Sequence, residues 1–151
     1  MNIEIKRVLE NDLELVEKLV QIEKEAFGDG GLNNWGLVPM IYHGRVYTIL
    51  SRGYPIGIAE YMRDMEEPDK AYLYGLAIRS GFRGQGLSTC LLDYTLDDLK
   101  KLGIKKIELT VSPDNKGAIH LYEKKFSFKE VEYRKDEYGK REDRLIMEKK
   151  I

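Results

Sequence analysis

A segment rich in glycine and arginine, set between an apolar strand and an amphipathic helix, constrains this chain more than any other feature. The segment Arg79–Gly86 (RSGFRGQG) follows the apolar run Ala71–Ile78 and precedes a leucine stripe that begins at Leu87. The first turn of a helix carries unpaired backbone N–H groups and the positive end of the helix dipole. Because glycines let these amides approach an anion closely, the segment predicts a phosphate-binding loop.

Two well-known phosphate-loop patterns do not fit this segment. No Gly-Lys-Ser/Thr follows the strand, as a nucleotide P-loop requires. Gly84 and Gly86 begin a dinucleotide-binding pattern, but Thr89 occupies its third glycine position. The segment therefore indicates a different kind of phosphate site, with an ordinary strand-to-helix turn as the alternative.

Composition excludes several classes of protein. The chain has 151 residues, 42% hydrophobic and 34% charged, with a net charge of −1, which predicts one folded domain over residues 1–151. The charge balance argues against a nucleic-acid partner, and the lack of a long apolar run argues against a membrane partner. Cys90 is the single cysteine, so we expect no disulfide within the chain and no multi-cysteine zinc site. His43 and His120 lack metal-ligand spacing, so we expect no metal at all. The single cysteine and the lack of a signal-peptide pattern together predict a cytoplasmic location. We expect Cys90 to be a small buried residue of its helix.

Hydrophobic periodicity predicts a mixed α/β (α+β) fold with a sheet of six or seven strands. The early strands are joined by short turns and should be antiparallel, whereas the region from Ala71 to Val111 predicts a parallel β-α-β crossover. Residues 28–36 predict an irregular loop, followed by a short helix near Val38–His43. A further short helix is expected from Lys116 to about Lys125, with two strands after it.

Two motifs now resemble the signatures of the GCN5-related N-acetyltransferase (GNAT) superfamily. Arg83–Ser88 fits the pattern [QR]-x-x-G-x-[GA], except that Ser88 stands where Gly or Ala is usual. Asn115–Lys124 matches N-x-x-A-x-x-L-Y-E-K, although the usual continuation x-G-F is altered, with one extra residue and Ser127 in place of glycine. The separation of the motifs and the predicted strand order also agree with this superfamily. Within it, the chain looks most like the ribosomal-protein alanine N-acetyltransferase type.

The resemblance implies transfer of an acetyl group from acetyl-CoA to a primary amine, with Tyr122 as the general acid. The exposed backbone of β-strand residues Leu76, Ala77 and Ile78 would pair with the pantetheine arm, which Asn115 would also contact. The pyrophosphate would be held by the loop and the start of the next helix, at Arg83, Gly84, Gln85, Gly86, Leu87 and Ser88.

The general base stays open at the level of sequence. Thr110 and Tyr72 occupy the two positions where members of the superfamily carry a glutamate, and neither side chain can replace a carboxylate. Glu108 and Glu60 are the candidate carboxylates, and a water relay to solvent is the third alternative.

The sequence also leaves open which amine accepts the acetyl group and whether the chain is an enzyme. A protein or peptide N-terminal amine and a small-molecule amine are both compatible with the chain. The resemblance implies that Gly30–Trp35 and Tyr133–Tyr138 bound the acceptor site, although their aromatic residues would equally suit contacts in a homodimer. A non-catalytic acyl-CoA sensor or interaction module with the same fold is the alternative to an enzyme.

Overall fold

The computed structural model describes residues 2–151, which form seven strands and four α-helices. The helices are α1 (Leu13–Phe27), α2 (Asn34–His43), α3 (Leu87–Lys101) and α4 (Lys116–His120). The strands are β1 (Ile3–Arg7), β2 (Arg45–Ser51), β3 (Tyr54–Arg63), β4 (Lys70–Ile78), β5 (Lys106–Val111), β6 (Lys129–Arg134) and β7 (Arg144–Lys150).

The strands form one mixed sheet in the order β1-β2-β3-β4-β5-β7-β6. β4 and β5 pair in parallel, whereas β1 with β2, β2 with β3, β5 with β7 and β6 with β7 are antiparallel. α3 connects β4 to β5, as a parallel pair requires. The predicted mixed, mostly antiparallel sheet with a central β-α-β crossover is therefore confirmed.

The chain divides into two compact units. The first comprises the chain up to Met62 together with Tyr74–Asp98, and the second comprises Arg63–Leu73 and Leu99–Ile151. β4 and α3 thus each contribute residues to both units. A single domain over 1–151 stays a prediction.

In the first unit, the two faces of the strands bury different partners, because side chains alternate along a strand. Tyr47 and Tyr61 face α3, where their hydroxyls bond to Asp98 (2.6 Å) and Thr95 (2.7 Å). The opposite face packs against α1 and α2. Its buried cluster comprises Val8, Val16, Leu19, Ile22, Leu37, Ile41, Val46, Ile58 and Ala77.

In the second unit, β5 and β7 supply the buried apolar residues Ile107, Leu109, Ile146 and Met147. At the first residue of β4, the Lys70 ammonium lies within 3.3–3.6 Å of carboxylate oxygens of Asp64, Glu67 and Glu108. A lysine of the same unit thus offsets part of the charge of the acidic turn after β3.

Three local predictions differ from the structure. α2 begins at Asn34 rather than near Val38, because the Asn33 side chain accepts hydrogen bonds from the amides of Trp35 and Gly36 and so starts the helix earlier. The helix predicted from Lys116 to about Lys125 has the correct bounds, but its second half, Leu121–Lys125, is a π-helical turn and not α-helix. Cys90 is exposed, not buried, because Leu91 and Leu92 take the core-facing positions of α3. Within residues 2–151, none of the helices is both long and apolar enough to cross a bilayer.

Candidate active site

The loop between β4 and α3 has the backbone that the sequence predicts for an anion site. Gly84 and Gly86 have φ angles of +77° and +76°, in the left-handed region that disfavours residues with a Cβ. The Cys90 amide donates to the Gly86 carbonyl at 3.1 Å, so the helical hydrogen bonding of α3 starts at this glycine. The amides of the first turn of α3 therefore have no partner within the helix, and they can bind an anion.

Three side-chain contacts fix this loop within the first unit. The Ser80 amide donates to Glu25 Oε1 at 2.6 Å, and Glu25 Oε2 lies 3.7 Å from Arg79 Nε. The hydrogen bond from Ser80 lowers the pKa of Glu25. Arg83 Nε donates to the Ile78 carbonyl at 2.9 Å, so its partner is neutral. Arg79 is thus paired with a carboxylate, whereas Arg83 brings net positive charge to the loop.

β4 extends beyond its parallel ladder. Lys70–Leu73 of β4 pair with Lys106–Leu109 of β5. β4 itself continues to Ile78. Ala77 and Ile78 have buried side chains. Residues Leu76–Ile78 therefore present strand backbone outside this ladder, as addition of an extended ligand to a sheet requires.

Tyr122 lies in the second unit, inside the π-helical turn. Its side chain is 8% exposed, and its ring packs edge-on against Phe128 with centroids 5.5 Å apart. The Phe128 amide donates to the Tyr122 carbonyl at 2.9 Å and closes the turn. Burial raises the pKa of Tyr122 above its usual value, so the phenol keeps its proton at neutral pH.

Asn115 marks the start of α4 in the same unit. Its Oδ1 accepts a hydrogen bond from the Ala118 amide at 3.1 Å and caps the helix. Any contact of Asn115 with a pantetheine arm would therefore use its remaining polar groups while Oδ1 holds the helix end.

A group of three hydroxyls in the second unit was not predicted from the sequence. The hydroxyl oxygens of Tyr72, Thr110 and Tyr138 lie 3.2–3.3 Å from one another. Arg144 Nε donates to Thr110 Oγ1 at 3.2 Å, and its guanidinium lies over the Tyr138 ring. Burial raises the pKa of Tyr72, so this group offers hydrogen bonds rather than a negative charge. The signal available in the sequence was the alternation of β4 and β5, which places Tyr72 and Thr110 on one face.

The two carboxylates that are candidates for the general base differ in their partners, since one is in an ion pair and the other is buried without a partner. Glu108 Oε1 lies 3.3 Å from the Lys70 ammonium, in an ion pair with its own neighbour on β4. Glu60 is completely buried in the first unit, and within the described residues neither of its carboxylate oxygens has a hydrogen-bond partner. Residues 2–151 contain no group of three or more His, Cys, Asp or Glu side chains arranged to hold a metal ion.

Comparisons with known proteins give a consistent result. The family model described as "Acetyltransferase (GNAT) family" matches residues 14–128. The [ribosomal protein bS18]-alanine N-acetyltransferase of Escherichia coli K12 is 37% identical over 82 residues, which cover 52% of this chain and 55% of that protein. An L-2,4-diaminobutyric acid acetyltransferase of Nocardia farcinica is 34% identical over 70 residues, covering 46% of this chain and 34% of its own length.

A solved structure shares the fold over almost the entire chain. The crystal structure of the ribosomal-protein-S18-alanine N-acetyltransferase from Escherichia coli has a TM-score of 0.82 at 23% identity, covering 99% of this chain and 94% of that one. In sequence, by contrast, the chain spans about half the length of the E. coli relative that it matches.

Proposed function

The chain belongs to the acetyltransferase (GNAT) family, and from this membership we propose that it transfers an acetyl group from acetyl-CoA to a primary amine. The observation that carries the proposal is the loop at the start of α3, where Gly84 and Gly86 adopt positive φ angles within the family's motif. An ordinary turn can also hold glycines at positive φ, so the proposal depends on their place before a helix and on the positive charge of Arg83 beside them.

Three segments would bind acetyl-CoA. The amides and side chains from Arg83 to Ser88 hold the pyrophosphate, since helix N-termini favour phosphate groups. The backbone of Leu76–Ile78 pairs with the pantetheine arm in the manner of an added strand, and Asn115 contacts the same arm. A backbone N–H of this strand also polarises the thioester carbonyl, the position where negative charge develops.

Tyr122 would act as the general acid. The amine nitrogen attacks the thioester carbon, and the carbon–sulfur bond breaks to release a thiolate. A thiol has a pKa of about 8.5, so a nearby phenol can donate to this thiolate as its charge develops. The position of Tyr122 within the motif N-x-x-A-x-x-L-Y-E-K supports this role.

The acceptor is proposed to be the N-terminal amine of a protein or peptide, with a small amine as the second candidate. The E. coli relative is named for the alanine of a ribosomal protein, and the Nocardia relative for a diamino acid. The hydroxyls of Tyr72, Thr110 and Tyr138 favour the peptide, because grouped hydroxyls can both donate to and accept from amide groups. A cytoplasmic location is part of this proposal, since ribosomal proteins are made and assembled there.

A non-catalytic acyl-CoA sensor is the second candidate function. The observation that favours it is the lack of a carboxylate at Thr110 and Tyr72, where related enzymes carry their base. A sensor would bind acetyl-CoA and release no CoA thiol in the presence of amines.

Replacement of one tyrosine separates these functions. Calorimetry with acetyl-CoA, and chromatographic measurement of CoA formed with a panel of peptides and amines, are applied to the wild type and to Tyr122→Phe. We expect both proteins to bind acetyl-CoA equally, and we expect the variant to be slower by about 100-fold or more, because it lacks the acid.

Tyr94→Phe is the matched control, since Tyr94 is exposed on α3 and also packs edge-on against another aromatic ring. Equal turnover by Tyr122→Phe and the control would remove Tyr122 from the mechanism. Binding without turnover in the wild type would favour the sensor, and no acetyl-CoA binding would end both proposals.

A further inference from the structure

Glu60 is the most anomalous charged residue of the first unit. It lies in the middle of β3 with no exposed surface, and within the described residues both of its carboxylate oxygens lack a hydrogen-bond partner. A carboxylate removed from water without a partner costs several kcal/mol, so buried acids are normally paired. This cost indicates either a proton on the carboxyl group or a cationic partner that arrives from outside.

The position of Glu60 in the sheet shows which face it occupies. It lies directly opposite Val46 of β2, which belongs to the cluster under α1 and α2. Ile58, two residues earlier on β3, belongs to the same cluster. The carboxyl group therefore lies on the face covered by α1 and α2, among apolar side chains.

The neighbouring strand leaves space for this carboxyl group. A Cβ added to Gly75 of β4 would lie 2.5 Å from Glu60 Oε2, closer than any side chain allows. The ring of Phe27, the last residue of α1, lies 3.6 Å from the position of this added Cβ. Phe27 is 43% exposed, so the region beside Gly75 lies close to the surface of the first unit.

Gly75 also relates Glu60 to the proposed acetyl-CoA site. It directly precedes Leu76–Ile78, the strand segment assigned above to the pantetheine arm. Successive residues of a strand are about 3.3 Å apart, so a group bound at Gly75 lies next to this segment. All of these residues belong to the first unit.

From this placement, and resting on the proposed function, we infer that Glu60 binds the ammonium group of the acceptor and is the base that removes its proton. An ammonium group offers N–H donors to both unpartnered oxygens and supplies the missing opposite charge. Glu108 differs from Glu60 in this respect, because its carboxylate already has an ammonium partner in Lys70.

With Glu60 as the base, the atoms and charges of the transfer balance. Glu60 takes one proton from the ammonium group, which frees the nitrogen lone pair to attack the thioester carbon. The carbon–nitrogen bond forms and the carbon–sulfur bond breaks, while a second proton leaves the nitrogen and the CoA thiolate takes up a proton. The products are the amide and CoA thiol, and Glu60 returns its proton to water.

The test compares Glu60→Gln with Glu108→Gln in the full chain. The probes are a synthetic peptide with an N-terminal alanine and 1,4-diaminobutane, and their binding is measured by calorimetry at saturating CoA. We expect the wild type and Glu108→Gln to bind at least one probe, and Glu60→Gln to bind it weaker by about tenfold or more, with CoA affinity unchanged within about twofold. In turnover, we expect Glu60→Gln to lose about 100-fold in kcat/KM.

Equal probe affinity in the wild type and Glu60→Gln, or no binding of either probe by the wild type, would overturn the inference. Binding without turnover in the wild type would refute the proposed function while still deciding the role of Glu60 in binding. If Glu60→Gln does not fold, Gly75→Ala replaces it, because the added Cβ displaces the carboxylate while keeping its charge. This variant should also bind the probe weakly, and wild-type affinity in it would count against the inference.

Discussion

Glu23 is a second buried carboxyl group of the first unit, and its chemistry differs from that of Glu60. It lies on α1 with 1% of its surface exposed, and its Oε2 accepts a hydrogen bond from the Leu32 amide at 3.3 Å. Burial raises the pKa of Glu23 to about 7, and the single backbone donor offsets this only in part. Glu23 therefore changes its protonation state close to neutral pH.

This raised pKa predicts how stability depends on pH. The folded chain binds a proton at Glu23 that the unfolded chain releases, so the free energy of unfolding falls as the pH rises from about 4.5 to about 7. The loss at this residue amounts to about 3 kcal/mol at most. Glu23→Gln keeps the shape of the side chain and removes the titration.

We expect urea unfolding at pH 5 and at pH 8 to show a smaller difference for Glu23→Gln than for the wild type. The variant should be the more stable protein at pH 8. Glu14→Gln is the control, because Glu14 lies exposed in the first turn of the same helix. An identical pH dependence in the wild type and Glu23→Gln would show that Glu23 titrates normally.

Among the elements, the loop before α3 has glycines in a strained backbone conformation and is also the proposed anion site. A comparison with a glycine in another turn separates the effect on stability from the effect on binding. Gly86 and Gly53 have φ angles of +76° and +80°, and an added Cβ would meet nothing within 4 Å at either position. Alanine at either site should therefore cost about 1–2 kcal/mol from backbone conformation alone. Gly53 lies in the hairpin turn between β2 and β3, away from the motif.

We expect Gly86→Ala and Gly53→Ala to lose similar stability in thermal unfolding. Only Gly86→Ala should also lose acetyl-CoA affinity, by about tenfold or more, because its amide no longer points at the pyrophosphate. The same affinity in both variants, measured by calorimetry, would show that this loop does not bind the anion.

The sequence predicted the elements whose evidence is local. Alternation in β1, the turn residues between β2 and β3, the apolar run of β4 and the leucine stripe of α3 predicted the strands, the crossover and the loop, because each pattern is complete within one segment. α2 was placed too late because Gly36 and Pro39 disfavour helix, and the Asn33 cap that overrides them was not recognised. The π-helical turn at Tyr122 has no periodic signal of its own.

Features that depend on distant contacts could not be predicted. The Tyr72–Tyr138 contact joins residues 66 positions apart. The isolation of Glu60 depends on what β2, β4 and α1 place around it, and a single sequence does not contain that information. The surroundings of single residues at the site could therefore be described only with the fold in hand. The family motif, by contrast, could be identified from the sequence alone.

At the scale of the whole molecule, the two compact units share β4 and α3, and this predicts how the chain unfolds. Lys70–Leu73 of β4 belong to one unit and Tyr74–Ile78 to the other, so neither unit contains the whole of β4. We expect one calorimetric transition, with equal calorimetric and van't Hoff enthalpies. Two separate transitions would contradict the prediction of one domain over 1–151.

Ligand binding extends this experiment. Acetyl-CoA at about 100 times its Kd should stabilise the folded state by about 2.7 kcal/mol and raise the single transition as a whole. A ligand that shifted only part of the heat absorption would show that the units unfold independently.

The exposed thiol of α3 has a practical consequence for all of these measurements. Cys90 is the only cysteine of the chain and lies in the turn whose amide bonds to Gly86. A colorimetric thiol reagent would record one equivalent per chain before any product forms, so acetyl transfer is better followed by chromatography. The same residue offers a unique attachment point for a maleimide fluorophore, whose emission would report directly on occupation of the neighbouring loop.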